Sequence, residues 1–296
     1  MALTAEQLDL RRQGISATDM VKLVEGKALQ VWLEKRGLAD PMIPNARIRA
    51  GQKFQQAIAE WAAEELGVEI GPECTTERHP TIPWALATPD YPVLEDGRRV
   101  ALIECKNVGL DQANAWKDSA GEWVVPDKHQ VQASWQMLVT GLPRVWVAGC
   151  IGGNDLHVLP VERDEDLIAG LVDIGRAFWE RHVVGGVEPE PDGSEDAKRY
   201  LQRRFAKTSE AIVDATPEIE ALADELRSCK ARLRADEVKA KVLEQKICAA
   251  IGDSLGIRGR FGVIKWVSVK ETHVAAFTKK AYRRVMVPWS WANEEG

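Results

Sequence analysis

Three residues stand out by type and spacing: Asp90, preceded by Pro89, and the pair Glu104 and Lys106 on either side of Cys105. On a strand, alternate residues point to one face, so Glu104 and Lys106 project together. Glu95-Asp96-Gly97 is a turn signal, because Asp-Gly supplies the positive φ values a tight hairpin needs. That turn carries Glu104 back toward Asp90, and two carboxylates converge beside one ammonium. Mg²⁺ prefers oxygen ligands and keeps several waters, so two carboxylates plus phosphate oxygens can hold it. A cation held there polarises a phosphodiester and lowers the pKa of a bound water. Lys106 can orient that water or stabilise charge on the phosphate. The carbonyl of Cys105 is a further candidate metal ligand. A Glu–Lys pair on an exposed strand is ordinarily only solvated. Here LATPD and ALIECK are apolar-flanked segments, where charge is costly unless paired or metal-bound.

The elements that must position these residues follow from periodicity and punctuation. Residues 4–37 read as helical, with a break at Gly14 and a helix from Asp19 to Gly37 capped by Ser16 or Thr18. Residues 46–66 form a third helix on the spacing of Phe54, Ile58, Trp61, Ala62 and Leu66, stopped by Gly67. TIPWALATPD and RRVALIECKNVG are predicted strands on either side of the hairpin. KHQVQASWQMLVTG is a helix ended by Gly141. RVWVAGCI and LHVLPVE are two strands joined at Gly152-Gly153-Asn154, and DEDLIAGLVDIGRAFWERHVVGG is a helix with acidic residues at its start. The predicted fold class is α/β, a mixed central sheet with helices on both sides.

Residues 185–195, rich in Gly, Pro and acid, are the linker candidate, dividing a core at 1–195 from an extension at 196–296. In the extension Thr216-Pro217 opens a long charged helix to about Ala250 with a heptad-like apolar stripe interrupted at Asp236, expected to pack on the protein's own body rather than to form a dimeric coiled coil. FGVIKWVSV is a strand candidate. The tail carries Lys279, Lys280, Arg283, Arg284, Trp289 and Trp291, expected to dock.

Composition narrows the function classes. The chain has 296 residues, 45% hydrophobic and 28% charged, as in an ordinary soluble globular protein. Its five cysteines are scattered and unpaired in sequence, which argues against a disulfide framework, a zinc ribbon or a cysteine-held iron–sulfur cluster. The N-terminus lacks a signal-peptide core and no stretch is long enough to span a bilayer, so a cytoplasmic location and no membrane partner are expected. The net charge of −6 means that nucleic-acid binding must use a local positive surface. His79 precedes a strand and shows no metal spacing with other histidines; His129, at a helix start beside Gln130, reads either as a surface residue or as a DNA contact.

Together these motifs resemble the PD-(D/E)xK nucleases, and within them the phage alkaline exonuclease group, the lambda exonuclease and YqaJ-like viral recombinase family. Arg11 with Gly14-Ile15-Ser16-Ala17-Thr18-Asp19 resembles that family's N-terminal element. Gly51 to Gln55 resembles its G-x-x-x-E helix, ATPDY at 87–91 and LIECK at 102–106 its metal motifs, and Gln130-Val131-Gln132 ahead of MLVTG its Q-x-Q helix. The resemblance covers roughly residues 8–180.

The resemblance implies a restriction-endonuclease-like core. It implies Asp90 and Glu104 as ligands of Mg²⁺ (Mn²⁺ as substitute), two ions per site, and Lys106 as the water-orienting or charge-stabilising residue. Gln130 would help position the site, while Arg11 and Thr18 contact the 5′-terminal phosphate and Gln132 contacts DNA. It implies degradation of one strand of linear duplex DNA, 5′→3′, for recombination with a single-strand annealing protein, in a homo-oligomer that is a ring trimer in some relatives. One departure is clear: the helix glutamate is Gln55 here, which could touch a metal only weakly or through water. Glu60 lies too far around the helix to replace it. The alternatives are an endonuclease or structure-specific nuclease using the same site, or a catalytically weakened scaffold that binds DNA ends.

Overall fold

The computed structural model describes residues 5–40, 45–207, 212–260 and 262–267. The chain divides into two compact units, through Arg203 and from Arg204.

The first unit begins with α1 (Ala5–Arg12), α2 (Ala17–Val24) and α3 (Ala28–Lys35). Ser16 starts α2 in a capping box: its hydroxyl accepts the Asp19 N–H, and the Asp19 carboxylate accepts the Ser16 N–H. Ser16, not Thr18, is the cap. The single helix expected from Asp19 to Gly37 is two helices, because Gly26 sits at φ +76, a conformation that ends a helix. α4 (Ala46–Leu66) has the expected limits, opened by the Asn45 side chain and closed by Gly67 at φ +64.

Next come β1 (Glu69–Ile70), β2 (Glu77–Arg78), β3 (Leu86–Ala87), β4 (Tyr91–Glu95) and β5 (Arg98–Val108). TIPWALATPD is therefore mostly not strand. Pro83 and Pro89 offer no N–H to a ladder; Leu86 and Ala87 pair with β2, and Ala85 makes an isolated parallel bridge with Ile15. Asp90 stands just before β4, which returns through Asp96 and Gly97, both at positive φ, into β5. A seven-residue 3-10 segment, Leu110–Trp116, leads to α5 (Asp127–Thr140), then β6 (Arg144–Ile151) and β7 (Asp155–Glu162). The main sheet runs β1-β4-β5-β6-β7; β5 and β6 are parallel and the other neighbours antiparallel. α5 is thus the crossover between the parallel pair, as such connections require. α6 (Glu165–Phe178), a π-helical turn at Trp179–Val184 and α7 (Glu195–Arg204) complete the unit.

The alternation of β5 sets its two faces. Ala101 and Ile103 pack with Ile58 and Ala62 of α4 and with Val93, Ala148 and Cys150. Leu102 and Val108 face the larger core, where α5 contributes Val131, Trp135, Met137 and Leu138 and the N-terminal helices contribute Ile15, Met20 and Leu29. Each such aliphatic side chain, fully buried, stabilises by about 1.5–3 kcal/mol. Gly149 on β6 is required by close packing: a Cβ there would stand 2.5 Å from the Trp116 ring.

α7 packs in the first unit. Ala197 is buried in the larger core, the Tyr200 ring meets Trp32 edge-on, and Arg199 pairs with Asp40 at 3.0 Å. α7 thus belongs with the compact unit that runs through Arg203.

The second unit holds α8 (Pro217–Ile251) and a ribbon of β8 (Gly256–Gly259) with β9 (Gly262–Lys265). Within this unit the apolar stripe of α8 is largely exposed. The basic and tryptophan-bearing tail lies outside the described residues.

Candidate active site

Glu104 is the hub of the site. It lies on the α5 face of β5 and is 4% exposed. Its Oε1 accepts from Lys106 Nζ at 2.6 Å and from Gln132 Nε2 at 2.5 Å, and its Oε2 accepts from Gln136 Nε2 at 2.6 Å. Lys106 also donates to Gln132 Oε1 at 2.9 Å, which closes a triangle of Glu, Lys and Gln. Gln132 and Gln136 can both reach the carboxylate because positions four apart share one helix face.

Asp90 reaches the same place from the other side of the hairpin. Its Oδ2 accepts the Cys105 N–H at 2.7 Å, beyond the last β4–β5 pair, Tyr91 with Ile103. On a strand the N–H and C=O of one residue point the same way. The Cys105 carbonyl therefore looks out beside Asp90, where β4 no longer takes it up.

Electrostatics tie these groups together. Burial, then the neighbouring Glu104 carboxylate, push the Asp90 pKa well above the usual carboxylate range; Lys106 and the Cys105 N–H oppose this, and Glu73 adds to it. Burial alone would lower the Lys106 pKa, but Glu104 and Asp90 outweigh it and raise it, so the ammonium persists. The Cys105 thiol is pushed up, first by burial and then by the two carboxylates, so it is no thiolate nucleophile. His129 is pushed down to about 3 by burial and then by Lys106 and Lys128. It is a neutral imidazole, its ring 5.4 Å from that of Trp116.

The donor set suits a hard cation. Two carboxylates held close, one with a strongly raised pKa, call for positive charge between them. Glu104 uses three of roughly four lone-pair sites and Asp90 one, so both retain acceptor capacity. The Cys105 carbonyl adds a third oxygen. Among the described residues no group of three or more His, Cys, Asp or Glu side chains forms a metal site by itself.

The structure brings together Asp90, Glu104, Cys105, Lys106 and Gln132. It does not bring in Gln130, whose amide donates to the Val125 carbonyl at 2.8 Å. Gln55 is half-buried on α4, the helix packed on the opposite face of β5 from Glu104 and Lys106. Arg11 and Thr18 lie in the N-terminal helices. Thr18 is exposed; Arg11 is half-buried, its carbonyl accepting from Lys35 Nζ at 2.8 Å. Sequence reasoning missed Gln136, the exposed Glu73 near Asp90, and the partial burial of His129. For Gln136 a signal existed: a lone amide inside the apolar run Trp135–Val139 demands a polar partner. It is fully buried, and its Oε1 has no hydrogen-bond partner among the described residues.

Residues 6–143 match the family model described as the YqaJ-like viral recombinase domain, so the resemblance read from the motifs is borne out. That span holds every residue of the site described above. The protein YqaJ of Bacillus subtilis (strain 168), itself described as uncharacterized, is 27% identical over 254 residues, which covers 82% of this chain and 76% of that protein. Among solved structures, LHK-Exo in complex with dAMP is similar at 20% identity and a TM-score of 0.50, covering 69% of this chain and 98% of that one. A second structure of LHK-Exo, the alkaline exonuclease of Laribacter hongkongensis, gives 18% identity and a TM-score of 0.49, covering 68% and 98%. At 20% identity the likeness to the dAMP complex is one of fold, and it agrees with the mixed α/β core found here.

Proposed function

We propose, from the premise that residues 6–143 match a YqaJ-like viral recombinase domain, that this chain is a metal-dependent deoxyribonuclease that digests one strand of linear duplex DNA from its end. The observation that carries the reading is the convergence of Asp90, Glu104 and Lys106, with Glu104 fixed by three donors. The similar LHK-Exo is an alkaline exonuclease, and its complex holds a nucleotide, dAMP, which agrees with this reading.

Asp90, Glu104 and the Cys105 carbonyl would hold Mg²⁺, for which Mn²⁺ can substitute. When bound, it supplies a water of lowered pKa and charge neutralisation at the phosphate. The remaining work belongs to the chain. Gln132 and Gln136 hold Glu104 in one orientation, so its oxygens are not free to turn away. Gln132 also fixes the Lys106 ammonium, which is aimed at negative charge developing on the phosphodiester. Burial excludes bulk water and strengthens each of these interactions. The finer proposals are a second ion per site, 5′→3′ polarity from a 5′-phosphorylated end read by Arg11 and Thr18, action in the cytoplasm, and supply of a single strand to an annealing recombinase.

Incubation with 5′-phosphorylated linear duplex and with closed circles tests the reading. With Mg²⁺ the linear substrate should shorten to single strand and mononucleotides, chelation should stop it, and circles should persist. Cutting of circles would make the chain an endonuclease. Tight binding of ends without cleavage would make it a scaffold.

A further inference from the structure

The second unit exposes a surface that the nuclease reading does not use. α8 is 35 residues long, about 52 Å at the rise of an α-helix. Taking Ile219 as position a of a heptad, Leu226 and Leu233 repeat a, and Leu222 and Leu243 fall on d. These five side chains are between 39% and 64% exposed. A stripe of that period, exposed on its helix, has the form of one side of a coiled-coil seam.

We infer that α8 takes a second copy of this chain, in a parallel, in-register, two-stranded coiled coil. Charge complementarity selects this occupant. In such a pair, each g residue faces the e residue of the next heptad on the other helix. The g residues Glu225, Arg232 and Lys239 would then face Lys230, Glu237 and Glu244 of the second copy. All three contacts, and their three reciprocals, join opposite charges. An antiparallel pair aligned end to end would instead set Arg232 against Lys239 of the other copy, in both directions. Within α8 the ion pair given for the described residues joins Arg227 to Asp224, on the outer face, and Arg232 donates to the Cys229 sulfur at 3.1 Å; none of the six flanking charges is in an ion pair among the described residues. Asp236 occupies a d position and weakens the seam there, as a polar residue in such a core does. Cys229 occupies another d position, so the two copies of Cys229 would lie side by side within disulfide reach.

Sedimentation of the full-length chain under reducing conditions tests this. The wild type should pass from monomer to dimer with concentration. Glu225→Lys, Arg232→Glu and Lys239→Glu together place like charges at all six contacts and should weaken the dimer by about tenfold or more. Adding Lys230→Glu, Glu237→Lys and Glu244→Lys should restore it. Asp236→Leu should tighten it. These positions are exposed, and helicity by circular dichroism checks each variant. Diamide, which takes two protons and two electrons from a pair of thiols, should yield a covalent dimer that Cys229→Ser abolishes. A monomer at every concentration overturns the proposal. So does a dimer or larger assembly indifferent to the charge swap, or one that never cross-links through Cys229. Digestion is not the readout, so either result leaves the nuclease reading standing.

Discussion

Asp90→Asn should lower digestion of linear duplex by about a thousandfold while leaving the fold intact. The carboxylate makes one hydrogen bond, from the Cys105 N–H, and an asparagine carbonyl oxygen can accept it equally well. What the variant loses is charge, and with it a metal ligand. The same change should not weaken the metal-free protein. The Asp90 pKa is raised in the folded chain, first by burial and then by Glu104. A group of that kind binds more protons folded than unfolded, so stability falls as pH rises from about 4, the unfolded value, toward the folded pKa. Asparagine removes that slope. In chelator, the variant's Tm near neutral pH should equal or exceed that of the wild type. Normal digestion by the variant would remove Asp90 from the catalytic centre.

Lys35→Met should cost about 3–5 kcal/mol of stability, because it strands a buried charge. Asp19 is wholly buried, and its Oδ2 accepts from Lys35 Nζ at 2.5 Å and from the Ser16 N–H and hydroxyl at 2.8 and 2.7 Å. Its Oδ1 has no partner among the described residues, so the pair carries little redundancy. At about 2–4 °C per kcal/mol for a domain of this size, Tm should drop by about 10 °C. Asp19→Asn added to Lys35→Met should recover much of that loss by removing the unpaired charge. Burial pushes the Asp19 pKa up, but Lys35 and then Arg11 outweigh it and hold it below the usual value. The stabilisation is therefore present above about pH 4 and lost as pH falls through the folded pKa. The double variant should show a shallower acid loss. An unchanged Tm for Lys35→Met would contradict the pairing.

Local chemistry was readable from sequence wherever one short stretch decides the outcome. Asp96-Gly97 makes the hairpin because its two positive φ values are what those residue types tolerate. Glu104 and Lys106 share a face because strands have a period of two. Asn45 and Gly67 bound α4 by capping alone. Readings failed or fell short where a distant partner decides. The segment before Asp90 has strand composition, but its neighbours in space and its prolines limit pairing to Ala85, Leu86 and Ala87. Gln136 contacts a carboxylate 32 residues away because α5 crosses between two parallel strands, and no local pattern reports that crossing. The stripe on α8 was legible as a heptad from its spacing alone.

The central claim is that Asp90, Glu104 and the Cys105 carbonyl together hold a divalent cation. Anomalous diffraction from crystals soaked in Mn²⁺ reads it directly. A peak within coordination distance of both carboxylates and that carbonyl, lost in Asp90→Asn, is the result this account requires. A structure in which Mn²⁺ binds elsewhere, while Glu104 stays bonded only to Lys106, Gln132 and Gln136, would contradict it.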